Sequence, residues 1–173
     1  MYHYRYAMQR PVYSVVPPGP YGNMRQQPTT YKSLEEAIAL IREALAGEKE
    51  DELFYDYLIS VAPSQEDKEI LTSIRDDERK HNQMFRKLYQ TLTGQTIAEA
   101  KDVKFEKPKS YTDGLRKAFF GELEAVERYR DIRAGLQERY NRDMLFEIIT
   151  DEQKHASKLN YLLNLDLRRR PKK

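Results

Sequence analysis

The sequence predicts an all-α protein: an antiparallel four-helix bundle built from two related helical hairpins, preceded by an extended N-terminal tail. Apolar residues recur at steps of three and four through four long segments of the 173-residue chain. The chain also repeats itself at an offset of 74 residues, the spacing between Glu48 and Glu122. A longer connection joins the second segment to the third, which is typical of bundles with one crossover.

Residues 1–31 are predicted to form an extended or flexible tail. The stretch is rich in tyrosine and proline, and its prolines forbid a long helix: Pro11, Pro17, Pro18, Pro20 and Pro28. The alternative is an arm whose tyrosines dock on the domain, a neighbouring subunit or a larger assembly. The bundle is predicted over residues 32–167, and the basic residues 168–173 are expected to form a solvated C-terminal end.

The first hairpin carries local signals for the ends of its helices. Ser33 and Glu36 have the spacing of a capping box, so the first helix begins there and runs to about Val61, before a proline. Ser64 is placed to cap the second helix, and Gly94 is a suitable residue to end it.

The second hairpin repeats the first without a gap. Its helices are predicted from about Tyr111 to about Tyr140 and from about Arg142 to about Leu167. Matching pairs include Gly47 with Gly121, Glu48 with Glu122, Tyr55 with Tyr129, Glu78 with Glu152, and His81 with His155. Neither hairpin could bury its apolar face alone, so the two are expected to pack as a pseudo-two-fold bundle.

Composition excludes several classes of function. Lys and Arg number 30 against 28 Asp and Glu, and this near balance argues against a nucleic-acid partner. The chain has no Cys, which excludes disulfides, thiolate nucleophiles, iron–sulfur clusters and rubredoxin-type iron centres within it. No apolar run approaches the roughly 18 residues of a membrane span, and the N-terminus lacks a signal-peptide core. We therefore expect a soluble protein with no membrane partner, located in the cytoplasm or, as the alternative, associated with a spore.

Two matching Glu-x-x-His motifs, one in each hairpin, carry the chemistry. Glu78 and His81 form the first, and Glu152 and His155 form the second. Side chains three residues apart on a helix project from one face and can bind one metal centre. One such motif has little weight, but each of these two follows a Gly–Glu pair at the same distance along the chain.

The glutamates of those Gly–Glu pairs, Glu48 and Glu122, lie among the apolar positions of their helices. An isolated buried carboxylate costs several kcal/mol, so four glutamates facing one core need compensating positive charge. Two divalent cations would supply it, with two imidazoles completing the pattern of di-iron and di-manganese carboxylate bundles. The candidate metal-ligating and catalytic residues are therefore Glu48, Glu78, His81, Glu122, Glu152 and His155.

Four stretches resemble rubrerythrin-type di-iron carboxylate proteins of the ferritin-like superfamily: ALAGEKEDELFYDYL, RDDERKHNQMF, AFFGELEAVERYRDI and TDEQKHASKLN. The resemblance covers about residues 33–165. It implies a ferritin-like bundle with two Fe ions per chain, and Mn stays an alternative because both metals accept this ligand set. It also implies ligand roles: Glu78 and Glu152 bridge the ions, Glu48 and His81 complete one site, and Glu122 and His155 complete the other.

The sequence departs from rubrerythrins proper in two ways. It lacks the Cys-rich rubredoxin domain, and Ala125 stands where those proteins have a further Glu. Asp51 occupies the equivalent place on the first helix and is a further candidate ligand. The ligand set is closer to the symmetric one of bacterioferritins.

Residues beside the candidate ligands suggest outer hydrogen bonds. A metal-bound imidazole usually donates its other N–H to an acceptor, so we predict pairs between Asp77 and His155 and between Asp151 and His81. In the alternative interpretation, both aspartates are surface acids beside lysines, Lys80 and Lys154.

Tyr55 and Tyr129 lie two helical turns after the first ligand of each hairpin, on the same face. They are expected to be core tyrosines with hydrogen-bonded hydroxyls. The alternative is that they hydrogen-bond the metal site or pass electrons.

By the resemblance, the protein is a non-haem di-iron oxidoreductase of ferroxidase or peroxidase type, connected with oxidative stress. It would oxidise Fe(II) and reduce O₂ or H₂O₂ with an unknown electron donor, as a homodimer or larger homo-oligomer. Two alternatives stay open: a structural, spore-coat-like assembly protein with a metal-stabilised bundle, and a dimanganese catalase-like enzyme.

Overall fold

The computed structural model describes residues 32–98 and 103–169, so the interpretations of the N-terminal tail lie outside the described part of the chain. Within those ranges the chain forms four helices and no strand: α1 (Leu34–Val61), α2 (Gln65–Thr93), α3 (Tyr111–Gly135) and α4 (Arg139–Arg169). Helices α1 and α2 pack as one hairpin and α3 and α4 as the other, with α1 against α3 and α2 against α4. The predicted all-α four-helix bundle is confirmed.

Contacts at the two ends of the bundle fix the helix directions. Gly135 at the end of α3 lies against Ser33 at the start of α1. At the other end, Arg169 of α4 bonds Asp67 in the first turn of α2. Neighbouring helices therefore all run antiparallel, and α3 begins at the end of the bundle opposite to the one where α2 ends.

Three of the predicted caps are present. The Ser33 backbone N–H donates to Glu36 Oε2 at 2.7 Å and the Glu36 N–H donates to Ser33 Oγ at 3.1 Å, which completes the capping box. Ser64 Oγ accepts from the Asp67 N–H at 3.2 Å. Gly94 ends α2 in the left-handed region with φ 70°, a conformation that glycine adopts without a Cβ penalty.

The predicted boundary between the third and fourth helices is wrong. Helix α3 ends at Gly135 rather than near Tyr140, and α4 begins at Arg139. A Cβ on Gly135 would lie 2.7 Å from the Ala37 Cβ, so α3 approaches α1 closely at this point. The chain then leaves the helix at Leu136, whose ψ of 134° is extended and whose side chain is fully buried.

At the basic C-terminal end the structure describes Arg168 and Arg169, which are both exposed, whereas residues 170–173 lie outside the described ranges and their predicted solvation stays a prediction. Helix α4 continues through Arg169, which donates to both carboxylate oxygens of Asp67 at 2.7 and 2.8 Å. Tyr111 donates to the same carboxylate at 3.0 Å, and the Ser64 hydroxyl also contacts it. Burial acts to raise the pKa of Asp67, but these hydrogen bonds outweigh it and lower the pKa below its usual value. Asp67 thus ties together the start of α2, the start of α3 and the end of α4.

Two apolar clusters fill the bundle on either side of its middle. One contains Ile41, Phe85 and Leu145, and the other contains Leu58, Leu71 and Leu159. Across the described ranges, none of the four helices combines the length and apolar character that a membrane span needs. The layer between the clusters holds buried charged side chains.

Candidate metal centre

All six candidate ligands meet in the middle layer of the bundle, and each helix supplies at least one. Their exposed fractions run from 0% to 6%: Glu48 on α1, Glu78 and His81 on α2, Glu122 on α3, and Glu152 and His155 on α4. Four carboxyl groups therefore share one interior with two imidazoles. Such a cluster needs either bound cations or retained protons.

The six side chains form two overlapping groups whose donor atoms lie within 4.8 Å of one another: Glu48, Glu78, His81 and Glu152, and Glu78, Glu122, Glu152 and His155. Glu78 and Glu152 belong to both groups. His81 Nδ1 is 3.0 Å from Glu152 Oε1, and His155 Nδ1 is 3.0 Å from Glu78 Oε1. Ligands about 2.1 Å from an ion are about 3 Å from each other when they meet at right angles, so each group has room for one ion.

Five buried polar atoms of this cluster make no hydrogen bond within the described ranges, although the two pairs of Nδ1 and Oε1 atoms just named are 3.0 Å apart: Glu48 Oε2, Glu78 Oε1, His81 Nδ1, Glu152 Oε1 and His155 Nδ1. A buried polar group without a partner costs about 1–3 kcal/mol, so five together are unusual in a folded chain. All five are oxygen or imidazole nitrogen atoms of the kind that bind divalent metals. The donor set therefore fits a pair of metal ions.

Burial and neighbouring negative charges favour retained protons on two of the four glutamates, Glu48 and Glu152. Burial, followed by the negative charges of Glu78 and Glu152, raises the pKa of Glu48 well above its usual value. Burial and the charge of Glu78 do the same to the pKa of Glu152. Burial alone would lower the pKa of His81, but its contacts with Glu78 and Glu48 raise it. Cations that enter the cluster would displace these protons.

Both predicted aspartate–histidine pairs are confirmed. His81 Nε2 lies 3.2 Å from Asp151 Oδ2, and His155 Nε2 lies 3.0 Å from Asp77 Oδ2. Each pair joins α2 to α4, so each hairpin orients the histidine of the other. A carboxylate that accepts from Nε2–H fixes the tautomer that leaves Nδ1 free to face the glutamates.

The two tyrosines form a second set of contacts between the hairpins. Tyr129 on α3 donates to Glu48 Oε1 on α1 at 2.5 Å, and Tyr55 on α1 donates to Glu122 Oε1 on α3. Both hydroxyls are buried, and burial is the largest cause of their raised pKa values. The prediction of core tyrosines with hydrogen-bonded hydroxyls is therefore confirmed, and their acceptors are the candidate ligands Glu122 and Glu48.

A cavity of about 210 Å³ lies between α1 and α3 and reaches Glu122 and Glu152. Asp51 and Ala125, which correspond in the repeat, both line it. Asp51 lies outside both donor groups. Burial, with the charges of Glu78 and Glu122, raises its pKa well above the usual value. Helical periodicity does not predict this cavity, and the sequence signal for it is the small side chains on its α3 wall, at Ala118, Gly121 and Ala125.

Comparison with known proteins agrees with this arrangement. The rubrerythrin family model matches residues 39–114. The uncharacterized protein YhjR of Bacillus subtilis (strain 168) is 31% identical over 136 residues, which cover 79% of this chain and 92% of that protein.

Two solved structures share the fold. A ferritin-like, diiron-carboxylate protein from Bacillus anthracis str. Ames aligns with a TM-score of 0.63 and 21% identity, over 75% of this chain and 96% of that one. A hypothetical protein from Pyrococcus furiosus aligns with a TM-score of 0.66 and 22% identity, over 81% of this chain and 94% of that one. The chain belongs to the rubrerythrin family, and its fold is that of the solved ferritin-like structure.

Proposed function

We propose that this chain is a non-haem di-iron oxidoreductase of the ferroxidase or peroxidase type, which oxidises Fe(II) and reduces O₂ or H₂O₂. The observation that carries the proposal is the pair of buried donor groups that share Glu78 and Glu152. Membership of the rubrerythrin family supports it, as does the description of the Bacillus anthracis protein as a diiron-carboxylate protein.

Charge and donor type both suit iron. Two divalent ions would neutralise the four glutamates while both imidazoles stay neutral. Carboxylate oxygens accept ferrous and ferric iron, and imidazoles retain affinity for the ferrous form. In this assignment Glu78 and Glu152, which belong to both donor groups, would help to hold both ions, Glu48 and His81 would help to hold one, and Glu122 and His155 the other.

Two bound ferrous ions would together supply the two electrons that, with two protons, reduce H₂O₂ to water or O₂ to H₂O₂. The protein's part is to hold and shield the centre. Tyr129 and Tyr55 fix the terminal glutamates, and Asp151 and Asp77 fix the imidazoles. The ligands are at most 6% exposed, which keeps bulk water away from them.

The cavity between α1 and α3 provides a route for a small oxidant. Its volume of about 210 Å³ is below the roughly 300 Å³ of pockets that take larger organic ligands. Its walls include the carboxyl groups of Glu122 and Glu152, so an oxidant in the cavity would lie beside the ligands. Asp51 lines the same cavity, which places a further carboxyl group beside the path of an oxidant.

Anaerobic titration of the full chain with Fe(II), followed by mixing with H₂O₂ or air in a stopped-flow spectrometer, tests the proposal. We expect two irons per chain and growth of ferric absorbance in the near ultraviolet. A variant with both Glu78→Ala and Glu152→Ala should lose both properties. Glu147→Ala is the matched control, because Glu147 is half exposed on α4 and pairs with Lys80 outside the cluster. Two tightly bound irons in the double variant would contradict the proposal.

Metal analysis separates iron from manganese. Protein expressed in medium balanced in the two metals should carry iron. A manganese-loaded chain that converts H₂O₂ to O₂ and water would instead establish the catalase-like alternative.

A further inference from the structure

A single lysine contacts both of the outer aspartates. Lys154 Nζ lies 2.6 Å from Asp151 Oδ1 and 3.1 Å from Asp77 Oδ2. These are the carboxylates that accept from His81 and His155. The same oxygen, Asp77 Oδ2, contacts both Lys154 Nζ and His155 Nε2. One ammonium group therefore joins the outer contacts of both donor groups.

The internal repeat does not account for this contact. The residue that corresponds to Lys154 in the first hairpin is Lys80, whose ammonium pairs with Glu147 instead. The next lysine along α4, Lys158, donates to the Ser73 hydroxyl at 2.9 Å. Among the described residues, Lys154 is thus the cation whose Nζ lies in ion-pair contact with both aspartates, and here the two halves of the bundle differ.

We propose that Lys154 is a positioning residue that acts on both metal-site histidines at once. Asp77 and Asp151 carry like charges close together, and their side chains are 25% and 16% exposed, so without a shared cation they would repel and turn toward water. An ammonium group has three N–H donors and can hold both carboxylates. Held in place, the aspartates keep both Nε2–H groups bonded and both Nδ1 atoms aimed at the glutamates.

The proposal rests on the histidines being metal ligands, as in the proposed function, but not on the reaction. Its direct consequence is protection of the imidazole Nε2–H protons from exchange with solvent. A merely structural lysine would not protect the protons of two histidines equally. Lys154 is 46% exposed, so replacing it leaves the core intact.

The experiment compares Lys154→Met, Lys154→Arg and Lys80→Met in the full chain by ¹⁵N NMR of the histidine side chains. In Lys154→Met we expect both Nε2–H protons to exchange at least about tenfold faster, the loss of protection that corresponds to about 1.4 kcal/mol. Lys154→Arg should restore protection, and Lys80→Met should match the wild type. A change at one histidine only, no change, or an equal change in Lys80→Met would overturn the proposal.

Measuring both the metal-free and the Zn(II)-loaded chain separates this proposal from the proposed function. The exchange rates in the metal-free chain decide the role of Lys154, because Lys154, Asp77 and Asp151 lie outside both donor groups. The zinc stoichiometry tests whether the cluster binds metal, and we expect two ions per chain. A chain that binds no zinc would contradict the proposed metal centre, but it would not change what the exchange rates show about Lys154.

Discussion

Replacing Tyr129 with phenylalanine removes one hydroxyl from the support of the metal centre. That hydroxyl donates to Glu48 Oε1 at 2.5 Å, and both residues are at most 2% exposed. Without it, Glu48 Oε1 becomes a buried acceptor that has lost its donor, beside an Oε2 that already lacks one. Phenylalanine fills nearly the same space and supplies no hydrogen-bond donor.

The expected loss of stability follows from the burial. A buried acceptor left without its hydrogen bond costs about 1–3 kcal/mol. For a chain of this size 1 kcal/mol corresponds to about 2–4 °C in Tm, so a loss of about 2 kcal/mol lowers the Tm by about 4–8 °C. In the metal-loaded form Glu48 is an anionic ligand, and the loss of its donor should also weaken metal binding by about tenfold.

Thermal and urea unfolding of the metal-free chain, followed by circular dichroism, measure the first effect, and competition with a metal chelator measures the second. Tyr55→Phe should behave like Tyr129→Phe, because its hydroxyl contacts Glu122 in the same way. Tyr57→Phe is the control, since the Tyr57 hydroxyl has no hydrogen-bond partner within residues 32–98 and 103–169. A Tyr129→Phe variant as stable as Tyr57→Phe would refute the reasoning.

Three further variants test other parts of the structure. Asp67→Asn should lower the free energy of unfolding by about 1–2 kcal/mol at pH 7. The pKa of Asp67 is lower in the folded than in the unfolded chain. The stability difference from wild type is therefore complete above the unfolded pKa, near 4, and disappears as the pH falls through the folded pKa. Gly135→Ala should cost about 1–3 kcal/mol, because its Cβ would meet Ala37 at 2.7 Å. Ala125→Leu should fill the cavity and slow Fe(II) oxidation by H₂O₂ by about tenfold, or about 1.4 kcal/mol of activation free energy, without changing the iron stoichiometry.

A different result would contradict each of these three predictions. For Asp67→Asn, it is a stability difference from wild type that persists unchanged at pH 2. Gly121→Ala is the control for Gly135, because a Cβ there meets nothing within 4 Å and the helix gains up to about 1 kcal/mol; equal effects of the two would contradict the close approach of α3 and α1. For Ala125→Leu, an unchanged oxidation rate would show that oxidant enters elsewhere.

The helix ends that could be predicted from sequence are those set by local hydrogen bonds. The caps at Ser33, Ser64 and Gly94 depend on residues within one turn, so a sequence pattern is enough to find them. The end of α3 depends instead on Gly135 meeting α1 and on Leu136 entering the core, which are contacts between distant parts of the chain. The contact of Arg169 with Asp67 could not be predicted for the same reason, because the two residues are 102 positions apart in the chain.

The six residues of the candidate centre could be predicted because two independent patterns select them. The repeat pairs the motifs of the two hairpins, and helical periodicity places their side chains on buried faces. Lys154 meets only the first condition. Its repeat partner Lys80 has a different contact, and only the packing of α2 against α4 decides which of the two lysines lies over the aspartates.

Because the contacts around the centre join the two hairpins, the centre assembles only when the bundle packs. Glu48 and Tyr55 lie in the first hairpin and their partners Tyr129 and Glu122 in the second, so neither hairpin holds a complete donor group. A cation that binds only the packed form stabilises it, by about 2.7 kcal/mol when its free concentration is a hundred times its dissociation constant. Since repulsion among the buried carboxylates opposes packing and bound cations remove that repulsion, the metal-free chain is expected to share the fold of the loaded form but to be less stable.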